Sequence, residues 1–185
     1  MDKASILKYL PLETERLIIR TPMPDDAEQI QNAKEALEET LRRWMDWSDD
    51  FGMSREGLDD WLTNATASEV SIPLIGLDKL SGKFILATGI DATDEDFSTV
   101  STGWWLAKGY EGKGLAYEGL NAVFNLLAEI VETQKVFTKF YAGNTRSQNL
   151  MERLGMNYVG TEPKAHTSNL TGEKLDVITY ERNFR

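Results

Sequence analysis

The stretch from Gly103 to Val131, G-W-W-L-A-K-G-Y-E-G-K-G-L-A-Y-E-G-L-N-A-V-F-N-L-L-A-E-I-V, constrains this chain more than any other. Thr102 to Leu106 reads as a strand. Gly109, Gly112 and Gly114 then form a glycine-rich turn. A helix opens near Gly114, with Ala116, Leu120, Val123, Phe124, Leu127 and Val131 on one apolar stripe. Strand, glycine turn and helix start make a geometry that holds an anion. Free N–H groups at a helix N-terminus point one way, and the helix dipole favours negative charge there. Glycines let the backbone approach closely. The expectation is a phosphate or pyrophosphate in this turn.

Two well-known phosphate motifs do not fit. A Walker A loop follows Gly-Lys with Ser or Thr, whereas Gly112-Lys113 precedes Gly114. A dinucleotide G-x-G-x-x-G requires glycine where this chain has Tyr117. An ordinary tight turn before a helix is the competing reading.

Around this stretch the chain reads as one domain over 1–185, with 1–11 a loose lead-in closed by Pro11. Leu17 to Arg20 is a short strand. Pro24-Asp25-Asp26 starts a helix over 24–36, and a second helix covers about 37–47. Ser54 reads as the N-cap of a third, 55–66. Trp44, Trp47 and Trp61 read as core at this spacing; the other reading makes them walls of an acceptor pocket. Ile72 to Leu77 and Lys83 to Asp91 form a hairpin across D-K-L-S-G. Val100 to Leu106 follows as a third meander strand, and 135–144 is another strand after the helix. A short helix over 144–155 ends at Gly155. Strands 156–161 and 175–182 close the chain across a polar loop, 162–174. The order predicts a mixed α/β sheet with helices on both faces. Strands 100–106 and 135–144 would be parallel across a right-handed crossover.

Composition removes several chemistries. There is no cysteine, which excludes disulfides, thiolate catalysis and Cys-ligated zinc. His166 is the single histidine, so a His-rich metal site is excluded; it is expected to be a surface or packed residue. No apolar run approaches the roughly 20 residues of a membrane helix, and the N-terminus lacks a secretory h-region; the chain reads as cytoplasmic. The net charge of −10 argues against nucleic-acid binding. Asp25 to Asp60 holds twelve acids against four bases, a net −8. This acidic region serves solubility, or lines a cleft for a cationic acceptor.

The turn G-Y-E-G-K-G-L-A-Y-E-G, the opening L-E-T-E-R-L-I-I-R and the later N-T-R-S-Q-N-L-M-E-R-L-G-M together resemble the GNAT superfamily of acetyl-CoA-dependent N-acetyltransferases. Within it the chain looks like the branch of ribosomal-protein alanine N-terminal acetyltransferases. The resemblance runs from Leu12 to Arg182. It implies a mixed, largely antiparallel GNAT-like sheet whose central parallel strand pair is splayed. The pantetheine arm of acetyl-CoA would lie in the gap, bonded by the backbone of Trp105 and Leu106. The amides of Gly112, Lys113, Gly114, Leu115 and Ala116 would bind the CoA pyrophosphate. Gly109 stands where the family has Arg or Gln, and Glu111 where this branch often has an aromatic, so the backbone amides carry that task. Asn144 matches the family asparagine that contacts the cofactor. Met151 stands where many relatives place a tyrosine that protonates the departing thiolate. Ser147 matches the serine to which this branch assigns that catalytic role. Asn144 and Ser147 also suit plain capping of their helix.

The reaction so implied is direct acetyl transfer to a primary amine, with rate gained from holding amine and thioester in line. A backbone N–H near Leu106 would polarise the thioester carbonyl. A carboxylate acting through water is the expected base, with Asp91, Asp94 and Glu95 as candidates. No metal is required. The acceptor expected from this branch is a protein N-terminal α-amine. A polyamine, aminoglycoside or amino acid is the alternative, and a non-catalytic acyl-CoA-binding module a third reading, motivated by Gly109, Glu111 and Met151. No membrane partner is expected, and the chain is expected to act as a monomer or homodimer.

Overall fold

A computed structural model describes residues 1–184. In chain order the elements are α1 (Lys3–Leu7), β1 (Leu12–Glu13), β2 (Leu17–Arg20), α2 (Ala27–Glu35), α3 (Glu38–Trp44), α4 (Asp50–Met53) and α5 (Arg55–Ala67). Then come β3 (Ser71–Asp78), β4 (Phe84–Ala92), β5 (Thr99–Ser101), β6 (Trp104–Leu106) and α6 (Leu115–Leu126), which runs on through a π-helical turn, Leu127–Val131. The chain closes with β7 (Lys135–Tyr141), α7 (Thr145–Arg153), β8 (Asn157–Thr167) and β9 (Lys174–Asn183).

The nine strands form one sheet in the order β1-β2-β3-β4-β5-β7-β9-β8, with β6 paired to β4. Among the described residues only β5 and β7 are parallel, so the sheet is mixed and largely antiparallel as expected. Helices cover both faces. On one, α6 packs Leu120, Val123 and Phe124 on Leu17, Ile19, Leu74 and Leu86. Gly119 allows this approach, since a Cβ there would lie 2.6 Å from Leu86 Cδ2. α7 adds Met151 and Leu154 to the same core. On the opposite face, α2 and α5 bring Ala27, Ile30 and Leu58 onto Ile75, Phe84 and Ala87.

Two helices of the acidic region, α2 and α5, begin for local reasons. A bidentate ion pair, Arg20 Nη1 and Nη2 to Asp26 at 2.6 and 2.8 Å, holds the start of α2, and Asp26 also accepts the Met23 N–H. Burial pushes the Asp26 carboxyl up, but these donors outweigh it and hold its pKa below the usual range. Ser54 caps α5 as expected, its hydroxyl accepting the Gly57 N–H at 3.0 Å.

Two segments differ from the sequence reading. Residues 1–11 are not a loose lead-in: α1 buries Ile6 completely. Lys3 Nζ donates to the carbonyls of Ala65, Thr66 and Ser68, capping the C-terminal end of α5. The polar loop expected at 162–174 is mostly strand, since β8 continues to Thr167. It is an edge strand, where Pro163 breaks no central ladder.

Candidate functional site

The site begins where the parallel pair separates. β5 pairs with β7 from Thr99–Lys135 to Ser101–Phe137, while β7 continues to Tyr141. β5 and β6 hold one register on β4: Asp91 faces Ser101, and Thr88 faces Trp104. They are one strand interrupted at Thr102–Gly103. Threonine hydroxyls stand in for the ladder at the break. Thr88 Oγ1 donates to the Gly103 carbonyl and Thr102 Oγ1 to the Gly89 carbonyl, each at 2.8 Å. From β7, Thr138 Oγ1 donates to the Thr102 carbonyl at 2.7 Å. All three threonines are buried, and the Thr138 hydroxyl satisfies a buried carbonyl otherwise stranded away from water.

Beyond that bracket β6 leaves β7. The Ala107 N–H donates to the Ile85 carbonyl and the Thr102 N–H to the Phe137 carbonyl. Backbone groups alternate in direction along an antiparallel pair, so Trp104 and Leu106 turn theirs toward the gap. The expectation for Leu106 agrees with this direction; that for Trp105 needs correcting. Trp105 sits opposite Ala87 with its backbone toward β4, and its ring packs on Phe84 at 5.2 Å.

The glycine turn follows directly. Gly109, Gly112 and Gly114 all have positive φ, and Gly114 caps α6 at φ 78° with no side chain on the free amides. The first helical bond runs from the Glu118 N–H to the Gly114 carbonyl. The N–H groups of Leu115, Ala116 and Tyr117 therefore have no helical acceptor. Lys113 is exposed, its Nζ 5.3 Å from the Tyr110 ring. The turn is tied down by a pair the sequence reading missed. Arg16 Nη1 donates to the Lys113 carbonyl, and Arg16 Nε donates to Glu118 in the first turn of α6. Glu118 also accepts from Thr14 Oγ1 and the Arg16 N–H. Burial alone would raise the Glu118 carboxyl; these bonds hold its pKa down. The signal was present in L-E-T-E-R, but its partner lies 102 residues away. Glu111, though exposed, turns back on the loop and accepts the Gly109 N–H at 2.8 Å.

α7 brings the remaining expected residues alongside. Asn144 Oδ1 accepts the Ser147 N–H at 3.2 Å, so Asn144 does cap this helix. Ser147 is half-buried, and among the described residues its hydroxyl has no partner. Met151 is fully buried in the core.

On the other face of the sheet lies a cavity of about 940 Å³. It reaches the strand break through Thr102, Gly103 and Trp104. Here the expectation of core tryptophans is overturned: Trp44, Trp47 and Trp61 all line the cavity, and Trp47 and Trp61 are 39% and 40% exposed. Lys34 also lines it, buried, with Nζ donating to the Gly52 and Ser54 carbonyls. Burial depresses its pKa to about 8. Of the expected bases, Asp91 reaches the cavity, while Asp94 and Glu95 do not. His166 lines it too, stacked on Tyr141, and its Nε2 is buried without a hydrogen-bond partner. The β8–β9 turn is tied to the cavity's edge, where Asn169 Nδ2 donates to the carbonyls of Met45 and Asp46, both of which line it.

A profile described as an acetyltransferase (GNAT) domain matches residues 16–157, well over half of the chain. The chain belongs to the GNAT acetyltransferase family. It is accordingly an acetyl-CoA-dependent N-acetyltransferase. The uncapped α6 amides and the unpaired edge of β6 suit acetyl-CoA, which has an anionic pyrophosphate and an amide-bearing arm. Solved GNAT structures share the fold across nearly the whole chain. A ribosomal L7/L12 α-N-protein acetyltransferase in complex with coenzyme A has a TM-score of 0.84 at 16% identity, covering 94% of this chain and 97% of its own. The ribosomal-protein-S5-alanine acetyltransferase of Vibrio fischeri has 0.80 at 20% identity, covering 93% and 95%. The microcin C7 self-immunity acetyltransferase MccE, in complex with acetyl-CoA and AMP, has 0.80 at 18%, covering 92% and 93%. No curated protein matches this chain by sequence. Among the described residues, no helix is long and apolar enough to cross a membrane.

Proposed function

We propose that this GNAT enzyme acetylates the α-amine of a polypeptide N-terminus by direct transfer. The observation that carries this reading is the acidic, aromatic cavity that meets the strand break from the face opposite the glycine turn. A cationic amine can enter it while acetyl-CoA is held from the other side. The amides of Gly112, Lys113, Gly114, Leu115 and Ala116 bind the pyrophosphate, and the gap-facing backbone of Trp104 and Leu106 holds the pantetheine arm. The Asn144 amide lies alongside as a further contact. When bound, acetyl-CoA supplies the acetyl group as an activated thioester. Asp91, which takes a hydrogen bond from Ser71 Oγ at 2.5 Å, removes the ammonium proton through water. The Leu106 N–H would polarise the thioester carbonyl, and the Ser147 hydroxyl would hydrogen-bond the departing sulfur and relay to it the proton shed by the attacking amine.

Two of the neighbouring structures are a ribosomal L7/L12 α-N-protein acetyltransferase and a ribosomal-protein-S5-alanine acetyltransferase, which supports a polypeptide acceptor. A compact small amine is the second reading. It is favoured by the Asn169 bridge at the cavity's edge. Turnover of acetyl-CoA across a panel of N-terminal peptides, polyamines and amino acids separates the two. Peptides turning over at least tenfold faster than small amines support the first. Turnover confined to small amines overturns it, and binding of CoA without turnover on any acceptor leaves only a binding module.

A further inference from the structure

Resting on the polypeptide reading, we propose that the cavity wall of Trp47, Phe51 and Trp61 takes an arginine side chain of the acceptor, a few residues beyond the amine that is acetylated. These rings are open: Trp47 is 39%, Phe51 52% and Trp61 40% exposed. Large apolar rings gathered on one wall call for an occupant with a flat face. Neighbouring rings in this region already hold cations of the chain itself. Arg43 lies over Trp44 at 4.9 Å, and Lys34 Nζ lies 5.8 Å from the Trp47 ring. Among the described residues, Phe51 and Trp61 have no such ring or cation partner.

The charges match. Asp49 and Asp60 line the same cavity. Asp49 Oδ1 accepts the Gly52 N–H and Asp60 Oδ2 accepts from Asn64 Nδ2, and neither pairs with a base among the described residues. Asp50 and Asp59, next to them in sequence but outside the cavity lining, are paired with Arg42 and Arg55. Of these four neighbouring carboxylates, the two left without a cation are the two that line the cavity. A guanidinium satisfies both demands at once. Its plane stacks on an indole or phenyl face, and its fork matches a carboxylate. A lysine ammonium is a compact, strongly hydrated charge and fits the flat wall less well. An acidic side chain is repelled.

The test is kinetic. Peptides with the same first residue, and with Arg, Lys, Gln or Glu at the second to fifth positions, are assayed with acetyl-CoA and the full chain. Arg peptides should exceed their Gln counterparts in kcat/KM by about tenfold, with Lys between and Glu lowest. Trp61→Ala and Asp60→Asn should each bring the Arg-to-Gln ratio toward one. Both side chains are exposed, and thermal unfolding checks that the variants fold. Equal turnover of Arg and Gln peptides overturns the arginine subsite and leaves the N-terminal reading standing. Failure to turn over any peptide, with small amines acetylated, overturns both. A ratio unchanged in both variants overturns the placement on this wall.

Discussion

The imidazole of His166 lies flat on the phenol ring of Tyr141, with centroids 3.7 Å apart and planes inclined by 5°. The contact joins β8 to the end of β7, and both residues line the cavity. Burial pushes the Tyr141 hydroxyl up to about 12, so it stays protonated. Burial also lowers the His166 pKa, against the opposing pull of Asp46. The folded protein therefore binds a proton at His166 less readily than the unfolded chain. Its contribution to stability is full above the unfolded pKa of about 6.5 and is lost as pH falls through the lower folded value. His166→Phe keeps an aromatic ring in the stack and removes the titration. The fall in Tm between pH 7.5 and 5 should be shallower in this variant than in the parent. Parallel curves would exclude His166 as a source of acid sensitivity.

Gly114 is placed where both conformation and charge are read. Its φ of 78° favours glycine, and Asn tolerates that region better than most residues. Gly114→Asn and Gly114→Asp are nearly equal in shape and differ by one negative charge. CoA affinity by calorimetry should fall in both, and by about tenfold or more further in the Asp variant. Equal affinities would remove the pyrophosphate from this turn.

Among the described residues the Ser147 hydroxyl has no partner, while its N–H is already used by Asn144. Ser147→Ala leaves that cap intact. It should lower kcat by about 10²-fold with CoA affinity little changed. Parent-level kcat would take Ser147 out of the reaction.

Thr138 supplies the hydroxyl that satisfies the Thr102 carbonyl where the strands part. Thr138→Val strands that carbonyl in a buried place. Urea unfolding should show a loss of about 1–3 kcal/mol, and Thr138→Ser should recover most of it. Equal loss in both variants would assign the cost to packing rather than to the hydrogen bond.

Much of the frame was legible because its signals are local. Gly114, the stripe from Ala116 to Val131 and the Ser54 cap are each decided within a few residues, and helices and turns formed where those signals stand. What was illegible depended on distant partners. Spacing along α3 and α5 cannot separate a core tryptophan from a cavity wall. That is decided by what covers it, and here the β8–β9 turn arrives from 123 residues away through Asn169. Arg16 reads as one of several surface bases until Glu118 is placed beside it. Strand 100–106 reads as continuous, because nothing in T-G-W-W announces that Thr88 and Thr102 hydroxyls will replace ladder bonds. β8 beyond Thr161 reads as loop because edge strands tolerate proline and charge.

The cavity lies on one face of the sheet and α6 on the other, and the cavity reaches through to the strand break at Thr102, Gly103 and Trp104. On the proposed assignment the sheet is a partition with a single window. Neither substrate stands in the other's doorway, so neither has to arrive first. Both must be present before anything happens at the window, and each product leaves by the side from which it came. Initial-rate plots should then intersect, and slow release of CoA should not detain the acetylated chain.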